Sequence, residues 1–349
     1  REGYKEFKRA EETYTKRDSI YGRIIRGKAI FSFRLGHYQE SEKLFRKTLS
    51  LFRKFGDSSG EANSLWGLGN IMHFNGKYSE AEKLLKESLA IYKDIGDKSG
   101  ISIVYNSLGN SYYRMDELDK AREFYQNSLD LEREMGFQFG EATSLNNLGN
   151  IAMLKCEYEE AKKLYKKSLK IKDKMGDKKG KAMTLCNISL IARNLKEYGE
   201  AKTLAENSYK IFKEIGHSMG QSFALLRLAN VSSELEDYRE SQKYFRKALE
   251  KAIKIKSKSL ILEILRLVAD FFFNIKKYKI AFKISVFIVE HYGEGKKLIE
   301  FKKANQLLKR VKKELSSNTI KKWKNEVKGK KMEEIVAEAI QHLKQIQNI

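Results

Sequence analysis

Between residues 58 and 98 the apolar positions fall into two stripes. Leu65, Leu68 and Met72 recur at intervals of three and four, the spacing that places side chains on one face of an α-helix. The polar turn NGKY interrupts them. A second stripe follows in Ala81, Leu84, Leu85, Leu89 and Ile91 and stops at Gly96-Asp97, with glycine where a helix ends in the left-handed conformation. The pattern predicts a hairpin of two amphipathic helices, A and B. One such hairpin cannot cover its own apolar face.

The same unit returns every forty residues. SLWGLGN, VYNSLGN and SLNNLGN place Gly69, Gly109 and Gly149 in one column. Tyr78, Leu118, Tyr158, Tyr198, Tyr238 and Tyr278 form a second, and Ala81, Ala121, Ala161, Ala201 and Ala281 a third, with Ser241 filling its gap. Gly56, Gly96, Gly136, Gly176 and Gly216 punctuate the units. No insertion breaks this register over roughly 240 residues. Hairpins repeated in this way bury their apolar faces on their neighbours, so the expected fold is an all-α solenoid. The expected organisation is a partial repeat helix within 1–17, seven hairpins over 18–292 beginning near 18, 58, 98, 138, 178, 218 and 258, and basic capping helices over 293–349. In the tail, 296–315 and 319–347 each read as one helix. The last hairpin is the most apolar. Its clusters Phe271–Phe273 and Val286–Val289 are expected to bury against the tail, with self-association through an exposed apolar surface as the alternative.

The run L-G-x-x-Y…Y-x-x-A…L resembles the tetratricopeptide repeat (TPR) consensus. Tyr112 fits its first aromatic, with Met72 and Ala152 in that place in neighbouring units, and Ala81, Ala121 and Ala161 fit its central alanine. The closing proline is missing, and the repeat is longer than the usual one of about 34 residues. Forty-residue units with L-G-N in helix A and G-D at the end resemble the TPR domains of LGN/Pins-type adaptors and the TPR sensor arrays of STAND-type regulators. The resemblance covers about residues 18–292. It implies a right-handed superhelix with A helices lining a concave groove that holds an extended peptide.

Composition narrows the class. There is no proline in 349 residues, where average usage would place about seventeen, which disfavours loop-rich and all-β folds. Two cysteines, Cys156 and Cys186, build neither a disulfide framework nor a zinc site, and a reducing, cytoplasmic location is expected. Cys186, on an A helix, is expected to pack as a small apolar residue. No apolar run approaches a membrane span. The chain begins at Arg1 within a helical pattern, and a further domain is expected upstream. The net charge of +23 is uneven: residues 51–150 carry 11 Lys+Arg and 15 Asp+Glu, whereas 251–349 carry 24 and 10.

Catalytic signatures are missing from the sequence. The five histidines show neither HxxxH nor HExxH spacing, so a metalloenzyme is not indicated. GDKKGKA (176–182) falls short of a phosphate loop and follows a helix rather than a strand. GDSSG and GDKSG hold the same place in other units, which makes it an inter-repeat turn. No enzyme activity and no cofactor are expected.

The candidate site lies on helix A. Residues three before and one after the column glycine are four apart and share a face. That face holds Trp66 and Asn70, Asn106 and Asn110, Asn146 and Asn150, with His73, Tyr113 and Met153 further along. Asn147 falls between two of these positions and is left outside the ladder. A carboxamide offers both donor and acceptor, which matches an extended peptide backbone. Arg23, Arg26, Arg34 and Arg114 can pair with carboxylates on such a segment. Asparagines that bond to neighbouring helices are the competing reading. The leading function is therefore a scaffold, or a sensor array, binding an extended and acidic peptide. The alternatives are the sensor of a STAND-type NTPase regulator and nucleic-acid binding through 302–331, which carries 12 Lys+Arg against two Glu and offers Trp323 as a stacking ring.

Overall fold

The computed structural model describes residues 2–14, 16, 18–291 and 299–345. The expected end of the N-terminal helix at 17, the 292/293 boundary and the expected helix start at 296 lie outside them. The described residues form helices joined by short turns, with no strand among them. The chain divides into two compact units, 1–155 and 156–349.

The first unit holds α1 (Glu2–Thr13), α2 (Ser19–Arg34), α3 (Tyr38–Phe55), α4 (Ser58–Phe74), α5 (Tyr78–Asp94), α6 (Lys98–Arg114), α7 (Leu118–Glu134) and α8 (Gln138–Leu154). The second holds α9 (Tyr158–Lys174), α10 (Lys178–Asn194), α11 (Tyr198–Glu214), α12 (Ser218–Glu234), α13 (Tyr238–Lys254), α14 (Lys258–Asn274) and α15 (Tyr278–His291). It ends with α16 (Ile299–Lys313), α17 (Ser317–Val327) and α18 (Met332–Gln345). Even-numbered helices from α2 to α14 are A helices and odd-numbered ones from α3 to α15 are B helices. Within each unit an A helix packs against its B partner and that B helix against the next A. Successive A helices also touch, α2 with α4, α4 with α6, α10 with α12 and α12 with α14.

The Gly-Asp pair does two jobs. Gly96 ends α5 at φ 69°, a conformation that glycine adopts without a Cβ penalty. Asp97 then caps α6, its Oδ1 accepting from the Gly100 N–H at 2.9 Å, which satisfies one of the free donors of the first turn. Asp57 and Asp177 cap α4 and α10 in the same way, each at 2.8 Å. GDKKGKA is thus a helix cap. At the next place His217 substitutes, its Nδ1 accepting from the Gly220 N–H at 2.9 Å.

The alanine column is fully buried, at Ala81, Ala121, Ala161 and Ala201, where the two helices of a hairpin approach. A second column ties them. Ser88 donates to the Ala62 carbonyl, Ser128 to the Ser102 carbonyl and Ser208 to the Ala182 carbonyl, at 2.8 to 2.9 Å. Cys186 is buried with its Sγ 3.0 Å from Ser208 Oγ, and burial raises its thiol pKa.

The C-terminal end is a different kind of core. Phe272, Phe282 and Phe287 are buried with Leu307 and Val311 of α16, Val327 of α17 and Ile335, Ala339 and Leu343 of α18. Burying each large side chain is worth about 1.5–3 kcal/mol. Val286–Ile288 are covered within this core, so the apolar surface considered for self-association is filled by the chain's own tail. Two expectations are corrected here. Residues 319–347 are not one helix: Gly329, at φ 78°, ends α17, and α18 starts afresh at Met332. Trp323 is not a free stacking ring; it lies against Phe282, centroids 5.9 Å apart, and packs on the core. Lys283, itself buried, joins α15 to α17 and α18 through Glu326 at 2.8 Å and Glu338 at 2.7 Å.

Candidate functional site

In the first unit, glycine in the L-G-N column sets the geometry of the A-helix face. A Cβ on Gly109 would stand 2.6 Å from the Tyr125 ring. Its absence lets that ring cross α6, and the Tyr125 hydroxyl donates to Asn110 Oδ1 at 2.7 Å. Burial, more than the neighbouring Tyr113, pushes the Tyr125 pKa far up, so the phenol remains a donor.

Much of the polar ladder is occupied by bonds between helices. Trp66 Nε1 donates to Ser107 Oγ at 2.9 Å. Asn70 Nδ2 donates to the Trp66 carbonyl at 3.0 Å within α4. His73 Nδ1 lies 3.2 Å from Ser111 Oγ, and the ring packs edge-on to Phe74 and Tyr78. Burial first, then the charge of Arg114, lowers its pKa. Asn106 uses both ends of its amide: Nδ2 donates to Ser144 Oγ at 2.8 Å, and Oδ1 accepts from Asn147 Nδ2 at 3.0 Å. Asn147, set outside the ladder by its helical phase, therefore belongs to it. A side chain offset on α8 still reaches back to α6.

The remaining predicted residues differ in how far the fold engages them. Asn110 is exposed, and its amide N–H groups have no partner among the described residues. Asn146 Oδ1 is buried without a hydrogen-bond partner among them. Asn150 and Tyr113 are engaged within the fold. Arg23 already meets Asp57 at 3.5 Å. Arg34 is exposed with its guanidinium 5.8 Å from the Phe31 ring centroid, and Arg114 is exposed. Arg26 is half-buried, and burial depresses its pKa. No carboxylate lies within ion-pair distance of it among the described residues.

The second unit carries a pocket of about 480 Å³ on its own A-helix face. Arg193 of α10, Asn230 of α12, Arg266 and Asp270 of α14 and Arg310 of α16 line it. Arg266 pairs with Asp270 at 2.9 Å. Burial raises the Asp270 pKa, opposed by Arg266, Arg310, Lys303 and Arg193. Arg193 donates to Asn194 Oδ1 at 3.1 Å; its pKa is lowered by burial and then by the positive Arg227.

The family profile described as tetratricopeptide repeat matches residues 22–94, 100–174 and 180–254, more than half of the chain. The chain belongs to the tetratricopeptide repeat family. No curated protein matches it. Among solved structures, this TPR chain is similar to a Signal Transduction ATPase with Numerous Domains (STAND) protein with a tetratricopeptide repeat sensor from Pyrococcus horikoshii. The TM-score is 0.62 at 16% identity, covering 97% of this chain and 51% of that one; the chain thus spans about half of the STAND protein. It is also similar to the apo quorum sensor NprR from B. thuringiensis, with TM-score 0.60, 16% identity and coverage of 88% and 92%. NprR in complex with its cognate peptide NprX gives 0.60 at 18% identity, covering 87% and 89%. At these identities the likeness establishes the fold.

The second-unit pocket was legible in the register of the TPR units but missed. Arg266 falls in the column of Trp66 and Asn106, Asn230 and Asp270 in that of Asn70 and Asn110, and Arg193 in that of His73 and Tyr113. In the asparagine columns the side chains turn apolar at Cys186, Leu190 and Leu226, and polar chemistry returns at Asn230 and then as charge at Arg266 and Asp270. That apolar interval separates the pocket from the asparagines along the chain, so asparagine alone does not mark it. The contribution of α16 follows no repeat and left no periodic signal.

Proposed function

We propose that this TPR chain is a protein-interaction scaffold whose first unit holds an extended peptide segment bearing acidic side chains along the A-helix face. The observation that carries the reading is Arg26, a half-buried guanidinium with no carboxylate at ion-pair distance among the described residues. Arg34 and Arg114 are exposed on α2 and α6, and Asn110 offers amide donors to a peptide carbonyl. Charge-assisted pairs of this kind are the strong ones in a wet groove. The likeness to NprR, solved with its peptide NprX, is consistent with this use of the fold.

The test is fluorescence anisotropy on the full chain with short acidic, neutral and basic peptides. Acidic peptides should bind best. Arg26→Ala combined with Asn110→Ala should weaken them by about tenfold or more with little change in Tm. Preference for basic peptides, or undiminished affinity in the double variant, would overturn the reading.

A second reading is that the chain serves as the sensor of a STAND-type regulator, the bound segment then belonging to the same polypeptide. Alignment over 97% of this chain with the STAND protein supports it. A phosphate-loop domain encoded upstream of Arg1 is the expected finding; an upstream region of another kind counts against it.

A further inference from the structure

The second unit brings more positive charge to one cavity than the fold itself neutralises. Arg193, Arg266, Lys303 and Arg310 line it against only Glu234 and Asp270. Asp270 is committed to Arg266 at 2.9 Å. Among the described residues, no carboxylate lies within ion-pair distance of Arg193, Lys303 or Arg310. Arg193 is set back in the structure, with Arg227 as a further positive neighbour, and Arg227 Nε is buried without a hydrogen-bond partner among the described residues. Like charges held this close in a partly desolvated site repel one another strongly. An arrangement built only for stability would replace one of them with an apolar residue.

The rest of the lining indicates a ligand with an organic body. Leu267, Phe271 and Leu307 provide apolar surface, and Asn230, Asn274 and Gln306 provide amides. Arg310 is held over the Phe273 ring, 4.5 Å from its centroid, which orients the guanidinium at one wall. A cavity of about 480 Å³ is within the range of small-molecule sites, about 300–1,000 Å³. Elements from four helices (α10, α12, α14 and α16) converge on it, three of them repeat helices and one from the tail.

We propose that this pocket binds a small organic anion, its carboxylate or phosphate oxygens held between Arg193 and Arg310 and its body resting on Leu267 and Phe271. The site is separate from the peptide face of the first unit and does not depend on it. Guanidinium pairs suit either oxyanion, because their donors form a planar fork. The tail helix α16 is needed to complete the site, so ligand and tail stabilise each other.

The experiment is isothermal titration calorimetry on the full chain at fixed ionic strength, with phenyl phosphate, benzoate and neutral benzyl alcohol as probes. Saturable binding of one or both anions, and none of the alcohol, is expected; whichever anion binds more tightly identifies the oxyanion. Arg193→Met and Asn230→Asp, the second placing a carboxylate inside the pocket, should each weaken binding by about tenfold or more while the helical circular dichroism is unchanged. Absence of saturable binding by either anion up to about 10 mM, a range that would detect even weak sites, overturns the proposal. So does unchanged affinity in both folded variants. Peptide binding by the first unit is read separately by anisotropy, so failure of one proposal leaves the other standing.

Discussion

The two A-helix faces of this TPR chain use the same register with opposite physical logic. In the first unit the middle of the face, on α4, α6 and α8, is built mainly from amides, hydroxyls and an indole, and most of those donors end on a neighbouring helix. In the second it is built from guanidinium groups and carboxylates, and cations are left over. Neutral groups bonded across a stack contribute stability. Crowded like charges oppose it and are retained where something else answers them. Position on a repeat therefore does not determine whether a residue supports the fold or serves a ligand. What decides is whether its hydrogen-bonding capacity is already satisfied by neighbouring helices.

Substitutions that separate these roles can be ordered by size. The largest effect is expected at Lys283→Ala in the second unit, which takes the buried ammonium out of the network and leaves Glu326 with Lys279 and Glu338 with Lys330. Breaking such a buried network should remove about 3 kcal/mol, measured by urea unfolding. A loss below about 1 kcal/mol would mean that these charges are solvated like surface pairs.

Next comes Asn106→Ala in the first unit. It takes a donor from Ser144 and the acceptor from Asn147 and should remove about 2 kcal/mol. Arg193→Met in the second unit should be neutral or stabilising by up to about 1 kcal/mol in the absence of ligand, because burial and Arg227 already disfavour its charge. If Asn106→Ala is silent while Arg193→Met is damaging, the contrast between the faces is reversed.

The smallest effect is a pH dependence shared by both units. Burial and then Arg114 lower the His73 pKa, and burial and then Lys179 lower that of His217. The folded chain therefore takes up these protons less readily than the unfolded chain. Their contribution is present above the ordinary histidine value of ~6.5 and is lost as pH falls below it toward the lowered folded values. His73→Gln should flatten part of this slope in unfolding curves measured across that window. An unchanged slope would place the titration elsewhere.

Much of the local fold could be read along the chain, and the reasons are specific. The Leu65, Leu68 and Met72 stripe reports a helix face because burial selects apolar residues at that spacing. Gly96 reports a helix end because few residues adopt its positive φ. The site was harder to read. Helical phase placed Asn106 and Asn110 on one face but could not show that Asn106 bonds to α8 while Asn110 leaves amide donors exposed. Trp323 looked like a free ring in a lysine-rich stretch, because charge flanking an aromatic says nothing of what lies opposite. In the tail, Gly329 was the local signal that 319–347 would break, and the surrounding lysines obscured it.

The sequence by itself determined that hairpins of forty residues would stack, because period, small-residue columns and glycine turns are local properties repeated in register. Only the tertiary structure decided which polar groups are satisfied and which are free. That depends on side chains forty residues apart meeting across neighbouring A helices, and on a non-repeating tail helix closing a pocket that the repeats alone leave open. Hydrogen bonds and charge balance are pairwise properties, and a single chain position carries only one member of the pair.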